Sequence, residues 1–387
     1  MRLMVVVLLS LLILTAGCLS PPALHRAVLA YDDTVQRVGS EQLLLNILRA
    51  RHYQPIHFTK VSSVAATFDF RMTLGIMPPE GDARGLIGPV FNATVAENPT
   101  VTIIPIDGEE FTTRLLTPLD ESRFLNLLEI GTDLGMALRI VAGSIRIQTD
   151  GRTLVAQNNP HRREQYEEFR RRVLHLASLY EANQLRIDKV MSEEVWSGPL
   201  QPPRPEEVLH ALDKGYKWSQ EKSSRYRLSR MRVLISNYRP DGLSDEERRD
   251  LADRLRTWPP NDIMVDIKPS HPGGDYPMSG EITLRSFNSV LEFLAQGAPE
   301  YAVNKDDRSG PVQMNPPHTL QIEESNRPVP DAAVSVLFEG RYYSIRRPSG
   351  QGDDNLWNAK AFGLLYHLFQ MMVQPLNAPV PGITIAK

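Results

Sequence analysis

Apolar residues recur at three- and four-residue steps in some stretches of the chain and alternate with polar ones in others. From Ala23 to about His52, Val28, Val35, Val38, Leu43, Leu44 and Ile47 keep helical spacing, and Gly39-Ser40-Glu41 sits where such a helix breaks or restarts. Pro55 ends it. Ile56 to Ile76 alternates Thr, Val and Phe with polar residues and predicts strands, as do Val90–Val95 and Thr100–Ile106, with a loop at Pro78–Asp82. Helical spacing returns from Glu109, and Asp120 or Ser122 opens a further helix. Residues 136–155 predict a helix end and a hairpin turning at Asp150-Gly151. His161 to Leu185 predicts the clearest helix, with Tyr166, Phe169, Val173, Leu176 and Tyr180 as its apolar stripe. Arg170-Arg171-Arg172 lies among Glu164, Glu167 and Glu168, which predicts a solvated, ion-paired face rather than a nucleic-acid contact.

Ser197–Pro205 is rich in Pro and predicts an internal linker. Beyond it come a short helix at Glu206–Lys214 and strands at 216–219 and 226–238, the latter with Leu228, Met231, Val233 and Ile235 toward a core. Ser244, followed three residues later by Glu247, predicts a capping box for the helix 244–256. Strands follow at 263–267, 281–284, 320–323 and 333–338, the last turning over Glu339-Gly340 into Tyr342–Arg346. Helices are expected at Phe287–Ala295 and from Asp353-Asp354-Asn355 to Pro375. Short strands interspersed with helices predict an α+β body, divided into an N-terminal domain (24–157), a helical connector (158–197), a Pro-rich linker (198–205), a C-terminal domain (206–375) and a tail (376–387).

The first residues follow neither pattern. Arg2 is basic, Leu3 to Leu14 is almost unbroken apolar, and the run closes in Leu14-Thr15-Ala16-Gly17-Cys18. A charged start, a short apolar core and small residues at the end are the parts of a secretory signal. About 12 apolar residues are too few to cross a hydrocarbon layer as a helix. The ending resembles the lipobox of bacterial lipoprotein signals at Leu14, Ala16, Gly17 and Cys18. That resemblance implies removal of residues 1–17, lipid on the Cys18 thiol, acylation of the new amino group and a tether at 18–23. Two or more acyl chains anchor stably where one does not. Leu19 stands where an Asp resembles an inner-membrane retention signal, so the resemblance favours the outer membrane.

Composition narrows the reading further. Cys18 is the one cysteine of the chain, so the processed protein holds no disulfide and relies on packing. Lys plus Arg number 43 against 46 Asp plus Glu, a balance that argues against a nucleic-acid binder. No second apolar run is long enough for a spanning helix, and the expectation is that everything after residue 18 faces water.

Candidate chemistry is sparse. Ser219-Gln220-Glu221-Lys222 has the Ser-x-x-Lys spacing, without the companion motifs of acyl-transfer enzymes. The nine His form neither His-x-x-x-His nor His-Glu-x-x-His, so no metal site is expected. His271-Pro272-Gly273-Gly274-Asp275 places an imidazole and a carboxylate on one loop. Asp107 to Glu110 and Asp353-Asp354 read as helix caps rather than cation sites. No cofactor is expected. The segments Asn46–Arg51, Asn98–Pro118, Ile282–Leu291 (with Arg285-Ser286 at a strand–helix junction) and Phe338–Ile345 resemble a family of uncharacterised bacterial lipoproteins and secreted proteins. This resemblance implies a shared fold and no established activity. The leading expectation is a non-catalytic scaffold or assembly partner of an envelope complex, held to the membrane by lipid on Cys18. The alternatives are an enzyme acting on an envelope polymer, built around His271 with a carboxylate and a Ser, and a ligand-binding lipoprotein with a pocket lined by Phe338, Tyr342, Tyr343 and Trp357.

Overall fold

The computed structural model describes residues 20–76, 89–149, 152–199, 202–213, 216–221, 225–257, 259, 261–296, 316, 318–349 and 354–373. It is an α+β protein. Contacts group the chain into two units, one of residues 1–42, 57–107 and 375–387, the other of 43–56 and 108–374.

In the first unit, helix α1 (Ser20–Arg51) begins, and it runs unbroken through Gly39-Ser40-Glu41. Ser40 hydrogen-bonds the Gln36 carbonyl at 3.0 Å, which satisfies its hydroxyl inside the helix instead of opening a new one. Val28, Leu29 and Val35 on its early turns are exposed. The same unit holds a two-stranded ribbon of β1 (Phe58–Ile76) and β2 (Pro89–Ile106), antiparallel along its whole length with a shift of register between Val61 and Ser63. The two runs expected at 90–95 and 100–106 are therefore one strand, with Pro99 opposite Ala66. The ribbon is tied at its base to α1, where the Gln42 amide donates to Thr59 Oγ1 at 2.5 Å and accepts from Thr59 N at 3.1 Å.

The second unit takes the last turns of α1, whose Leu43, Leu44, Ile47 and Leu48 are fully buried. Three short helices follow, α2 (Glu109–Leu116), α3 (Glu121–Glu129) and α4 (Leu134–Val141). Asp120 and Asp133 cap the last two by accepting from Arg123 N and Met136 N. Every residue of α4 is buried. Next come β3 (Ala142–Thr149), β4 (Arg152–Gln157), helix α5 (Arg163–Glu181) and β5 (Arg186–Pro199). Residues 186–199 are thus a strand, where a helical connector was expected. Then follow α6 (Pro205–Asp213), β6 (Tyr216–Glu221), β7 (Arg225–Ser236), α7 (Asp245–Thr257), β8 (Asp262–Ile267), β9 (Met278–Leu284) and α8 (Phe287–Ala295). A three-stranded sheet of β10 (Glu323–Ser325), β11 (Ala332–Phe338) and β12 (Arg341–Arg346) precedes α9 (Asp354–Val373).

One seven-stranded sheet organises this unit, in the order β4-β3-β9-β8-β7-β5 with β6 also on β7. It corrects the expected division at 198–205. Strand β3 lies before the Pro-rich stretch and β9 after it, yet they pair from Ala142–Leu284 to Ile147–Gly280. Their backbone groups satisfy one another, so residues on both sides of that stretch share one sheet and one unit. Gly280 permits the close approach, since a Cβ there would stand 1.9 Å from the Arg146 carbonyl oxygen. The C-terminal half of β7 is buried on both faces, Arg232 and Leu234 as well as Val233 and Ile235, because helix α7 covers the face expected to be open. Helix α9 packs on α2, α3, α4, α8 and β12 and closes the core.

Candidate functional site

Leu14, Ala16, Gly17 and Cys18, the residues that carry the lipobox resemblance, lie outside the described residues, as does the tail beyond Val373. Helix α1 begins at Ser20, two residues after Cys18.

The catalytic candidates do not assemble. Lys222 lies outside the described residues, and Ser219 sits on β6 opposite Arg227. Loop 268–274 is shaped by Asn237, whose amide donates to the carbonyls of Lys268 (2.8 Å) and Pro272 (3.1 Å) while its oxygen accepts from Lys268 N. On that loop His271 Nδ1 meets Ser270 Oγ at 3.0 Å, and its ring lies 5.5 Å from that of Tyr238. Two chain neighbours on an exposed turn do not make a nucleophile and base, and no described carboxylate hydrogen-bonds the imidazole. Below the loop, Tyr238 donates to Asp266 at 2.6 Å, and Arg254 reaches the same carboxylate at 3.2 Å. Burial and the Asp266 charge push the Tyr238 phenol far up, so it stays a donor. Lys268 pairs with Glu247 at 3.0 Å and lies over the Tyr238 ring. Each group answers another, which fastens α7 to β7 and β8.

The junction Arg285-Ser286 is structural as well. Ser286 caps α8 through Ser289 N, and Arg285 lies over Phe293 at 3.9 Å while donating to the Ile140 carbonyl. Glu109 and Glu110 occupy the first turn of α2, where carboxylates complement the helix dipole, while its N-cap is Gly108 with no side-chain cap bond, and Asp354 begins α9. No cluster of metal-ligating side chains occurs among the described residues.

Arg170 and Arg172 are buried, which corrects the reading of α5 as a solvated face; Arg172 lies over the Tyr276 ring. Arg163–Glu167, Arg171–Glu168 and Arg172–Glu168 are ion-paired as expected. Arg170, however, is buried, and so is Arg139 on α4; each donates to the Pro316 carbonyl, at 2.8 and 2.9 Å. Arg139 also stacks over Trp357, whose indole N–H donates to Thr319 O at 3.0 Å. Trp357 and Tyr343 are therefore core residues. Phe338 meets Tyr343 edge-on at 6.4 Å, and none of the four expected aromatics lines a described cavity.

Concave surfaces arise elsewhere. A cavity of about 270 Å³ is lined by Ile47, Leu48, Phe293 and Leu320, with Arg51 and His318 as polar groups. It draws on four separate segments, Pro160 supplying the fourth, which is why spacing within one segment does not reveal it. A second hollow of about 480 Å³ is lined by Arg186, Asp188, Lys189, Arg239, Asp241 and Arg248. Arg186 grips Asp188 with two bonds of 3.1 Å, and that partner raises its proton affinity.

The deepest charged pair joins α3 to β7. Arg232 Nε meets Glu121 Oε1 at 2.6 Å, and Val233 N donates to the other oxygen at 2.5 Å. The guanidinium also donates to the carbonyls of Leu255, Pro259 and Asp262. Burial pushes the Glu121 carboxyl up to about 7 against the pull of Arg232. Sequence spacing hides this pair, since 111 residues separate its members.

What fold and geometry define is an α+β protein whose buried charges are spent on architecture. Comparison of the chain with protein-family models, with characterised proteins and with solved structures finds no match.

Proposed function

We propose that this protein is a lipid-anchored envelope lipoprotein, held to the outer membrane through Cys18, that acts as a non-catalytic scaffold for an envelope complex. The observation that carries the reading is the ending Leu14-Thr15-Ala16-Gly17-Cys18 behind a short apolar run. Helix α1 starts two residues after Cys18, and its Val28, Leu29 and Val35 are exposed, apolar surface that suits an envelope partner.

The test is labelling in the host with an alkynyl palmitate analogue, comparing wild type with Cys18→Ala, followed by separation of the membranes. Label and outer-membrane recovery in wild type, both lost in the variant, are expected. Gentle detergent extraction should then bring down envelope proteins in fixed ratio. An unlabelled wild-type chain overturns the anchor, and a labelled chain recovered alone overturns the scaffold.

A further inference from the structure

The cavity where the last turns of α1 and α8 meet residues 318–324 differs from the other charged regions, because its cation is not spent on architecture. Its floor is apolar: Ile47 and Leu48 are fully buried, and Phe293, Leu294 and Ala295 nearly so. Leu320 and Ile322, at alternate positions, add a half-buried wall. Polar groups complete the lining, with Arg51, Gln321 and Glu324 exposed and His318 half-buried. An apolar hollow that carries a few polar groups is the form small-molecule sites take.

The wall is fixed without a ligand. Residues 318–322 have no regular secondary structure, yet α9 holds them at two points. The Trp357 indole N–H donates to the Thr319 carbonyl at 3.0 Å. The Asn358 side chain accepts from Gln321 N at 2.9 Å and donates to the Gln321 carbonyl at 3.1 Å. Beyond them β10 pairs with β12. Leu320 and Ile322 are therefore held in position, and a ligand is spared the cost of ordering them. The polar groups divide by charge. Glu324, the one carboxylate of the lining, is ion-paired with Arg341. Carbonyls at the end of α1 are answered by the turn that follows, where His52 N–H reaches Leu48 O at 3.1 Å and Gln54 N–H reaches Arg49 O at 2.8 Å. Arg51 and His318 meet no hydrogen-bonding or ion-pairing partner among the described residues.

We propose that this cavity binds a small aliphatic monocarboxylate, with its chain against the apolar floor and its carboxylate on Arg51, helped by an N–H of His318. A guanidinium presents a planar fork of donors that matches a carboxylate, and a neutral imidazole supplies one further donor. Size sets the chain. A water molecule's share of the liquid is about 30 Å³, so a cavity of about 270 Å³ holds roughly nine groups of that size, a fatty acid of about eight carbons. The paired long chains of a phospholipid do not fit. All lining residues belong to the second unit, so the site does not depend on lipid at Cys18.

The experiment uses the full processed chain in nanodiscs of phosphatidylethanolamine and phosphatidylglycerol. Octanoate carrying a mid-chain diazirine is photolysed with it, and labelled peptides are mapped by mass spectrometry. Octanoate, octanol and octylammonium serve as competitors. Label is expected on residues 47–51, 293–296 and 318–324. Octanoate should compete at concentrations at least about tenfold below octanol, because its bond to Arg51 is charge-assisted, and octylammonium should be weakest. Arg51→Gln should cut labelling at least about tenfold and bring octanoate to the level of octanol, with the urea unfolding transition kept, since the side chain is exposed. Ile322→Trp, which fills the hollow from its half-buried wall, should abolish labelling by any route. Label confined to other peptides, octanol competing as well as octanoate in the unaltered chain, or an Arg51→Gln chain that keeps the preference, overturns the proposal.

Discussion

Arg232→Met probes the joint on which the larger unit depends. The side chain neutralises Glu121 and gives hydrogen bonds to three carbonyls, that of Leu255 in the last turn of α7 and those of Pro259 and Asp262 just after it. Arg232 is 2% exposed and Glu121 6%, so water cannot replace what is lost. Removing one member of a buried pair costs about 3–5 kcal/mol, because the other charge is left without compensation. The pH dependence identifies the cause. In wild type the Glu121 carboxyl titrates at about 7 when folded, against 4.5 as its ordinary value. The folded state therefore holds the proton more tightly between those values, and stability falls as pH rises through that window, by about 1.4 kcal/mol per unit at most. Without the cation the folded value climbs further, so the variant's deficit is larger at pH 8 than at pH 5. Urea unfolding followed by circular dichroism at both values measures it. Glu121→Gln combined with Arg232→Met should recover part of the loss at pH 8, since no buried charge remains. A deficit below about 1 kcal/mol at both values, or one identical at both, refutes the reasoning.

Gly280→Ala forces a Cβ to within 1.9 Å of the Arg146 carbonyl oxygen, so β9 must leave β3; loss of the cooperative unfolding transition is expected, and a wild-type melting profile would contradict the pairing. Ser244→Ala removes the hydroxyl that accepts from Glu247 N and donates to its carboxylate, and should cost about 1 kcal/mol in urea unfolding. Glu247 is held down to about 2 by the Ser244 backbone N–H, with Lys268 and the Ser244 hydroxyl adding to it. Its stabilisation is present above about 4.5 and is lost as pH falls toward 2, so Lys268→Met should flatten the acid limb of the stability profile, as thermal scans from pH 2 to 6 would record.

What was legible in the chain was what its neighbours decide. The Ser244–Glu247 box closes within four residues, and Phe287–Ala295 begins and ends where spacing and the Ser286 cap place it. What was not legible depends on partners far along the chain. The pairing of β3 with β9 crosses the Pro-rich stretch, and nothing in either strand names the other. Arg170 is an intermediate case. It stands four residues after Tyr166 and three before Val173, on the buried stripe itself, so its helical position already pointed inward. Its place beside Arg171 and Arg172 pointed outward, and the Pro316 carbonyl, distant in sequence, made the inward position tenable.

The ribbon divides the same way. Its period-two alternation is visible in the residues, but Pro99 breaks the second strand when read alone, because a proline cannot donate to a ladder. In a two-stranded sheet each strand has one free side, and Pro99 keeps its place opposite Ala66 with no ladder bond required on that side. Register then does what periodicity cannot: it fixes which residues stand opposite one another, Phe70 with Val95, Met72 with Ala93 and Leu74 with Phe91, but also Phe68 with Glu97. Shifting the pairing by one residue would set Phe70 against Thr94 and Met72 against Asn92 instead. Which residues stand opposite one another is a property of the paired strands, set by their register and not by the alternation of either strand read alone.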